Sequence, residues 1–158
     1  MPRLLSFVAL IGAVVAVAAC PPAADDEIDV TVLAILASEH HKHVHPKLTE
    51  FAKHVSKKQP ELKGFQLARS NSEPLKLGET KKFQLTGDEV VEVTVNKERN
   101  ENGRITLTIK PPKLDQVTYE CACDKYFSIA TQHYEGEGKD RAQLFIAVMA
   151  KPCGLKKK

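Results

Sequence analysis

The chain has 158 residues, a formal net charge of +3, 27% charged and 42% hydrophobic residues, and four cysteines. That length suits one domain around one core. The weak positive charge, with no basic stripe interleaved by aromatics, excludes the electrostatic footprint of a nucleic-acid binder.

Met1-Pro2-Arg3 is followed by Leu4 to Ala19, a run without a single charge. It falls short of the roughly 20 apolar residues that cross a bilayer as a helix. One basic side chain followed by a short apolar stretch is the pattern of a secretory signal, so residues 1–19 are read as a cleaved signal peptide and the chain as exported. The run closes on Val17-Ala18-Ala19-Cys20. This resembles the lipobox of bacterial lipoproteins: an aliphatic residue, two small residues and then a cysteine. The resemblance covers the signal alone. It implies that Cys20 becomes the first residue of the mature chain, carries lipid and holds the protein on a membrane of the cell envelope. Ordinary cleavage after Ala18 or Ala19 is the competing reading, because Ala16-Val17-Ala18 also forms a small-residue site; the product is then periplasmic or secreted. Loss of Arg3 with the signal lowers the formal charge to about +2. Residues 20–27, with Pro21-Pro22 and the acids Asp25, Asp26 and Glu27, read as an extended tether. A single domain is expected over 28–155, and Lys156-Lys157-Lys158 reads as a solvated tail.

Ile28 to Ala37 carries Val, Ile or Leu at nearly every position, which predicts a strand buried on both faces. Pro46 to Lys58 reads as a helix, with Leu48, Phe51, Ala52 and Val55 on one face and Lys47, Glu50, His54 and Lys57 on the other. Beyond Gly64 the period becomes two. Phe65 and Leu67, Phe83 and Leu85, Val91, Val93 and Val95, then Ile105, Leu107 and Ile109 each mark one face of a strand. Gly87-Asp88 and Asn102-Gly103 supply hairpin turns, and Pro111-Pro112 ends a strand. Val117 to Cys123, Tyr126 to Thr131 and Leu144 to Ala150 are further strands, the last two joined through Glu135-Gly136-Glu137-Gly138. The expected fold class is α+β: a β-α-β opening, with the helix set across one sheet face by a right-handed crossover, then a mainly antiparallel sheet of short hairpin-connected strands.

Two features carry chemistry. Val117, Tyr119, Cys121 and Cys123 share one strand face, expected to be buried, and Cys153 follows the last strand. In an oxidising compartment a disulfide from Cys153 to Cys121 or Cys123 is expected. The alternative is a thiolate trio for copper or zinc. The tract His40-His41-Lys42-His43-Val44-His45 sits between the first strand and the helix, and offers His40, His41, His43 and His45 as zinc or copper ligands. His54 and His133 read as surface or satisfied residues. No nucleophile elbow, phosphate-cradling glycine loop or His-Glu-x-x-His motif occurs, and Glu135 with Glu137 falls in a turn. The sequence therefore points away from an enzyme and requires no cofactor. The leading expectation is a non-catalytic cell-envelope module that binds a partner protein through its sheet. The alternative is a periplasmic or surface protein that binds zinc or copper through the His tract.

Overall fold

The computed structural model describes residues 27–97, 104–122 and 124–152. Eight strands appear there: β1 (Ile28–Ser38), β2 (Gly64–Leu75), β3 (Thr80–Gln84), β4 (Val90–Lys97), β5 (Arg104–Lys110), β6 (Val117–Ala122), β7 (Phe127–Glu135) and β8 (Ala142–Pro152). One α-helix, α1 (Thr49–Ser56), follows a 3-10 turn at Pro46–Leu48. The strands make two antiparallel sheets of order β2-β1-β8-β7 and β3-β4-β5-β6. The chain leaves the first sheet after β2, completes the second as a meander, and returns through β7 and β8. The described residues are thus mostly antiparallel sheet with one short α-helix.

Side-chain alternation explains the layering. Val91, Val93 and Val95 of β4 and Ile105, Leu107 and Ile109 of β5 point to one side, with polar residues between them. They meet Val30, Val32 and Ala34 of β1 and Leu144, Ile146, Val148 and Ala150 of β8 across the space between the sheets. The other phase of the same two strands, Leu33, Ile35 and Ala37 with Phe145 and Ala147, packs beneath Leu48, Ala52 and Val55. The first sheet is therefore the middle of three layers. That is why β1 is apolar at successive positions: Val32 to Ile35 are all buried. Double burial is usual for parallel sheets; here a helix on the outer face produces it in an antiparallel one.

The opening differs from the expected crossover. β1 and β2 are direct antiparallel neighbours, from Ile28 opposite Leu75 to Ser38 opposite Gly64. A right-handed crossover joins parallel strands, whereas this connection reverses the chain and lays α1 over the sheet on the way. The helix is also shorter than the apolar spacing predicts. Pro46 begins a 3-10 turn, and α1 ends at Ser56. The polar run Arg69 to Pro74, unmarked by any periodicity, completes β2. Its backbone pairs with β1 while its side chains face mainly outward.

The Gly87-Asp88 turn forms as expected. Glu89 N–H donates to the Thr86 carbonyl at 2.9 Å, and Gly87 takes φ +51, the positive φ that glycine supplies at the first central turn position. Asn102-Gly103 lies outside the described residues.

Candidate functional site

The His tract is pinned along the start of β2. Phe65 N–H donates to the His43 carbonyl at 2.9 Å, and His45 N–H donates to the Phe65 carbonyl at 2.8 Å. Between them Val44 turns inward onto the helix-side core. Extended backbone alternates its side chains, so the tract cannot gather all its imidazoles on one point. His40 lines a cleft of about 490 Å³ with Glu61, Tyr134 and Arg141. His41 and His43 line a separate cleft of about 480 Å³ with Glu135 and Asp140. His45 serves the helix instead: its Nδ1 accepts from Lys47 N–H at 3.3 Å and caps the 3-10 turn. His41 Nε2 lies 3.2 Å from Asp140 Oδ1, with both side chains well exposed. Among the described residues no three His, Cys, Asp or Glu side chains are grouped to hold a metal ion.

Two glycines bring His41 and Asp140 together. A Cβ on Gly64 would collide with the His41 carbonyl. A Cβ on Gly136, which also takes φ +73, would collide with the Asp140 carbonyl. Only a residue without a side chain permits such close backbone approach.

Cys121 is buried, with its Sγ 3.3 Å from the Ile105 carbonyl oxygen. Cys20, Cys123 and Cys153 lie outside the described residues. The expected burial of the whole Cys121 face is corrected: Val117 and Tyr119 on that face are each 37% exposed. β6 is the outermost strand of its sheet, and the core ends beneath it.

His133 is satisfied rather than free. Its Nδ1 lies 3.2 Å from Glu89 Oε1 and its Nε2 3.8 Å from Glu135, while Lys113 Nζ approaches Glu89 at 3.2 Å. This cluster ties the β3–β4 turn of one sheet to β7 of the other.

The feature that sequence reasoning missed stands at the β6–β7 side of the sandwich. Tyr119 of β6 stacks on Phe127 of β7, with ring centroids 3.9 Å apart and planes 16° from parallel. With Tyr126, 45% exposed, and Phe51 of α1 they line a groove of about 500 Å³. Its remaining walls are Glu50, His54 and Lys58 from the helix side and Lys125 and Ser128 from the β7 side. Phe51 is held edge-on by Phe65 and Phe145, at centroid distances of 6.0 and 6.1 Å. A ring fixed in this way presents a platform at little ordering cost. Partial burial raises the Tyr126 phenol above the usual tyrosine range, so it stays a neutral hydroxyl. Lys53 donates to Glu50 at 2.9 Å, and that hydrogen bond holds the carboxyl below its ordinary range.

The two sides of the sandwich are unlike. On the β2–β3 side, Asn71 Nδ2 donates to the Gln84 carbonyl at 2.8 Å. There Lys81 donates to the Pro74 carbonyl at 3.0 Å and pairs with Glu73. Lysines and proline on an edge block the addition of further strands. The β6–β7 side carries Val117, Tyr119, Tyr126 and Phe127 instead. β7 pairs only with β8, and β6 only with β5, among the described residues. A hint of this was in the sequence: all three tyrosines fall between positions 119 and 134, and all three are well exposed. No family model, curated protein or solved structure matches the chain.

Proposed function

We propose that the protein is a non-catalytic binding module of the cell envelope that engages a partner protein at the β6–β7 edge. The observation that carries this reading is the aromatic groove beside β6 and β7, two edge strands that themselves contain no lysine or proline. Exposed aromatic rings with rigid backing are common anchors of binding energy, and an unpaired strand edge offers main-chain donors and acceptors to an added strand. The compartment rests on the residue 1–19 signal, and attachment to the membrane on lipid at Cys20. A disulfide from Cys153 to Cys121 or Cys123 suits the same oxidising compartment.

The test is selection from a displayed random peptide library, run in parallel on the native protein and on a Tyr119→Ala, Tyr126→Ala double variant. Binders that enrich on the native protein and bind the variant at least about tenfold more weakly are expected, the loss typical of truncating aromatic anchors. Binders that hold the double variant equally well would place recognition elsewhere and remove this reading.

A further inference from the structure

The chemistry of the partner follows from the walls of the β6–β7 groove, and this inference rests on the binding reading above. The floor is apolar and flat, formed by the stacked pair Tyr119 and Phe127 with Phe51 beside it. The rim is basic. Lys58 and Lys125 are exposed and have no carboxylate partner among the described residues. Glu50 is the one acid in the groove, and its charge is already matched by Lys53. A ligand therefore meets two uncompensated positive charges over an aromatic floor. The groove also runs along Phe127 and Ser128, the first residues of β7, whose outer edge has no strand beside it among the described residues.

We propose that this groove takes an extended acidic peptide segment of a partner protein. The segment lies as an added strand along the start of β7. It sets one aromatic or branched apolar side chain on the Tyr119–Phe127 face and directs carboxylates toward Lys58 and Lys125. The open main-chain edge favours a peptide, because backbone amides of the partner match the unpaired groups of a strand. A second copy of this chain is a poor occupant. Regular pairing along β7 runs only from Phe127 to Ala130 before its register breaks, a seam too short to hold two copies together. So short a flat edge suits a short segment.

Fluorescence anisotropy of labelled, capped octapeptides with the purified protein tests the proposal. The first peptide alternates Glu with Val and Tyr; in the second Gln replaces Glu, and in the third Lys does. At low ionic strength, where the screening length exceeds about 10 Å, the Glu peptide should bind saturably. It should bind about five- to tenfold tighter than the Gln peptide, as two exposed ion pairs allow, and the Lys peptide should bind worst. A Lys58→Glu, Lys125→Glu variant, changed only at exposed positions, should reverse that order. Equal binding of the Glu and Lys peptides, or an order unmoved by the charge reversal, would overturn the acidic preference. If the Gln peptide binds as well as the Glu peptide but both weaken in Tyr126→Ala, the edge still binds and only the charge argument fails. If no peptide binds and the protein dimerises through a Tyr126-dependent contact in sedimentation, the occupant is a second copy and the proposal is wrong.

Discussion

Gly64 occupies ordinary extended backbone in β2, and its need is one of space: the His41 carbonyl stands where a side chain would begin. Gly64→Ala must push the His tract off β2 and strain the hydrogen bonds that Phe65 makes to His43 and His45. A cost of about 1–3 kcal/mol is expected, in the range of overpacked sites, read as a lowered midpoint in urea denaturation. The tract thus has a structural duty that its composition conceals. Four imidazoles in six residues suggest a ligand set, but the extended backbone sends them to different places, and His45 is spent on a cap. We expect zinc affinity, measured by titration calorimetry, to be weak and to change by less than about threefold when His40, His41, His43 and His45 are all replaced by Gln, since incidental surface ligands act singly. Tight stoichiometric binding lost in that variant would contradict the dispersal of the four rings. The groove residues were hidden for the opposite reason. Tyr119 shares its strand phase with Cys121, which is buried, and periodicity alone cannot show that Tyr119 is left 37% exposed.

Among the elements, strands with one buried face were the most legible. In β4 and β5 each alternate residue is a branched aliphatic, and each of those is buried. β1 was legible as a doubly buried strand, though not the antiparallel company it keeps. Nothing in Ile28 to Ala37 distinguishes a helix-covered antiparallel strand from a parallel one, since both bury two faces. The polar half of β2 left no hydrophobic signal, because it is an edge strand held chiefly by its backbone. β7 hides an irregularity as well. Ala130 stands opposite Phe145 and Tyr134 opposite Gln143, so three residues of β7 face one of β8. Thr131 makes this break tolerable. It is buried, its hydroxyl donates to the Leu144 carbonyl at 2.7 Å and accepts from His133 N–H at 3.1 Å. Gln143 reaches the Thr131 carbonyl at 2.7 Å. Thr131→Val keeps the shape and removes the hydroxyl, leaving both main-chain groups short of a partner. Its expected cost is about 1–3 kcal/mol, and amide exchange should quicken at His133 more than in β1. Unchanged exchange at His133 would show that the hydroxyl does not hold the break together.

At the scale of the whole molecule, the proposed anchor and the proposed binding edge have to serve one protein. The tether proposed for residues 20–27 leads to Ile28, the first residue of β1. Among the described residues no helix is long and apolar enough to cross a membrane; the proposed point of attachment is Cys20, from the lipobox resemblance. Replacing Cys20 by Ser should move the protein from the membrane pellet to the soluble fraction after cell lysis, and should remove any mass increment of acyl size. A Cys20→Ser protein that still sediments with membranes would mean that another part of the chain holds it there. The order of strands has a consequence in time as well as in space. β8, the last of the described strands, sits between β1 and β7 in the centre of its sheet, and Ile28 at one end of the described chain lies opposite Pro152 at the other. Until residues 142–152 arrive, β1 has one bare edge and β7 has no strand to pair with, while Leu144, Ile146 and Val148 are missing from the core. Contacts that join the two ends of a chain form late. A nascent chain built in this order keeps the shared core of its sheets open until residues 142–152 are made, the condition in which a polypeptide can still be threaded through a translocation pore.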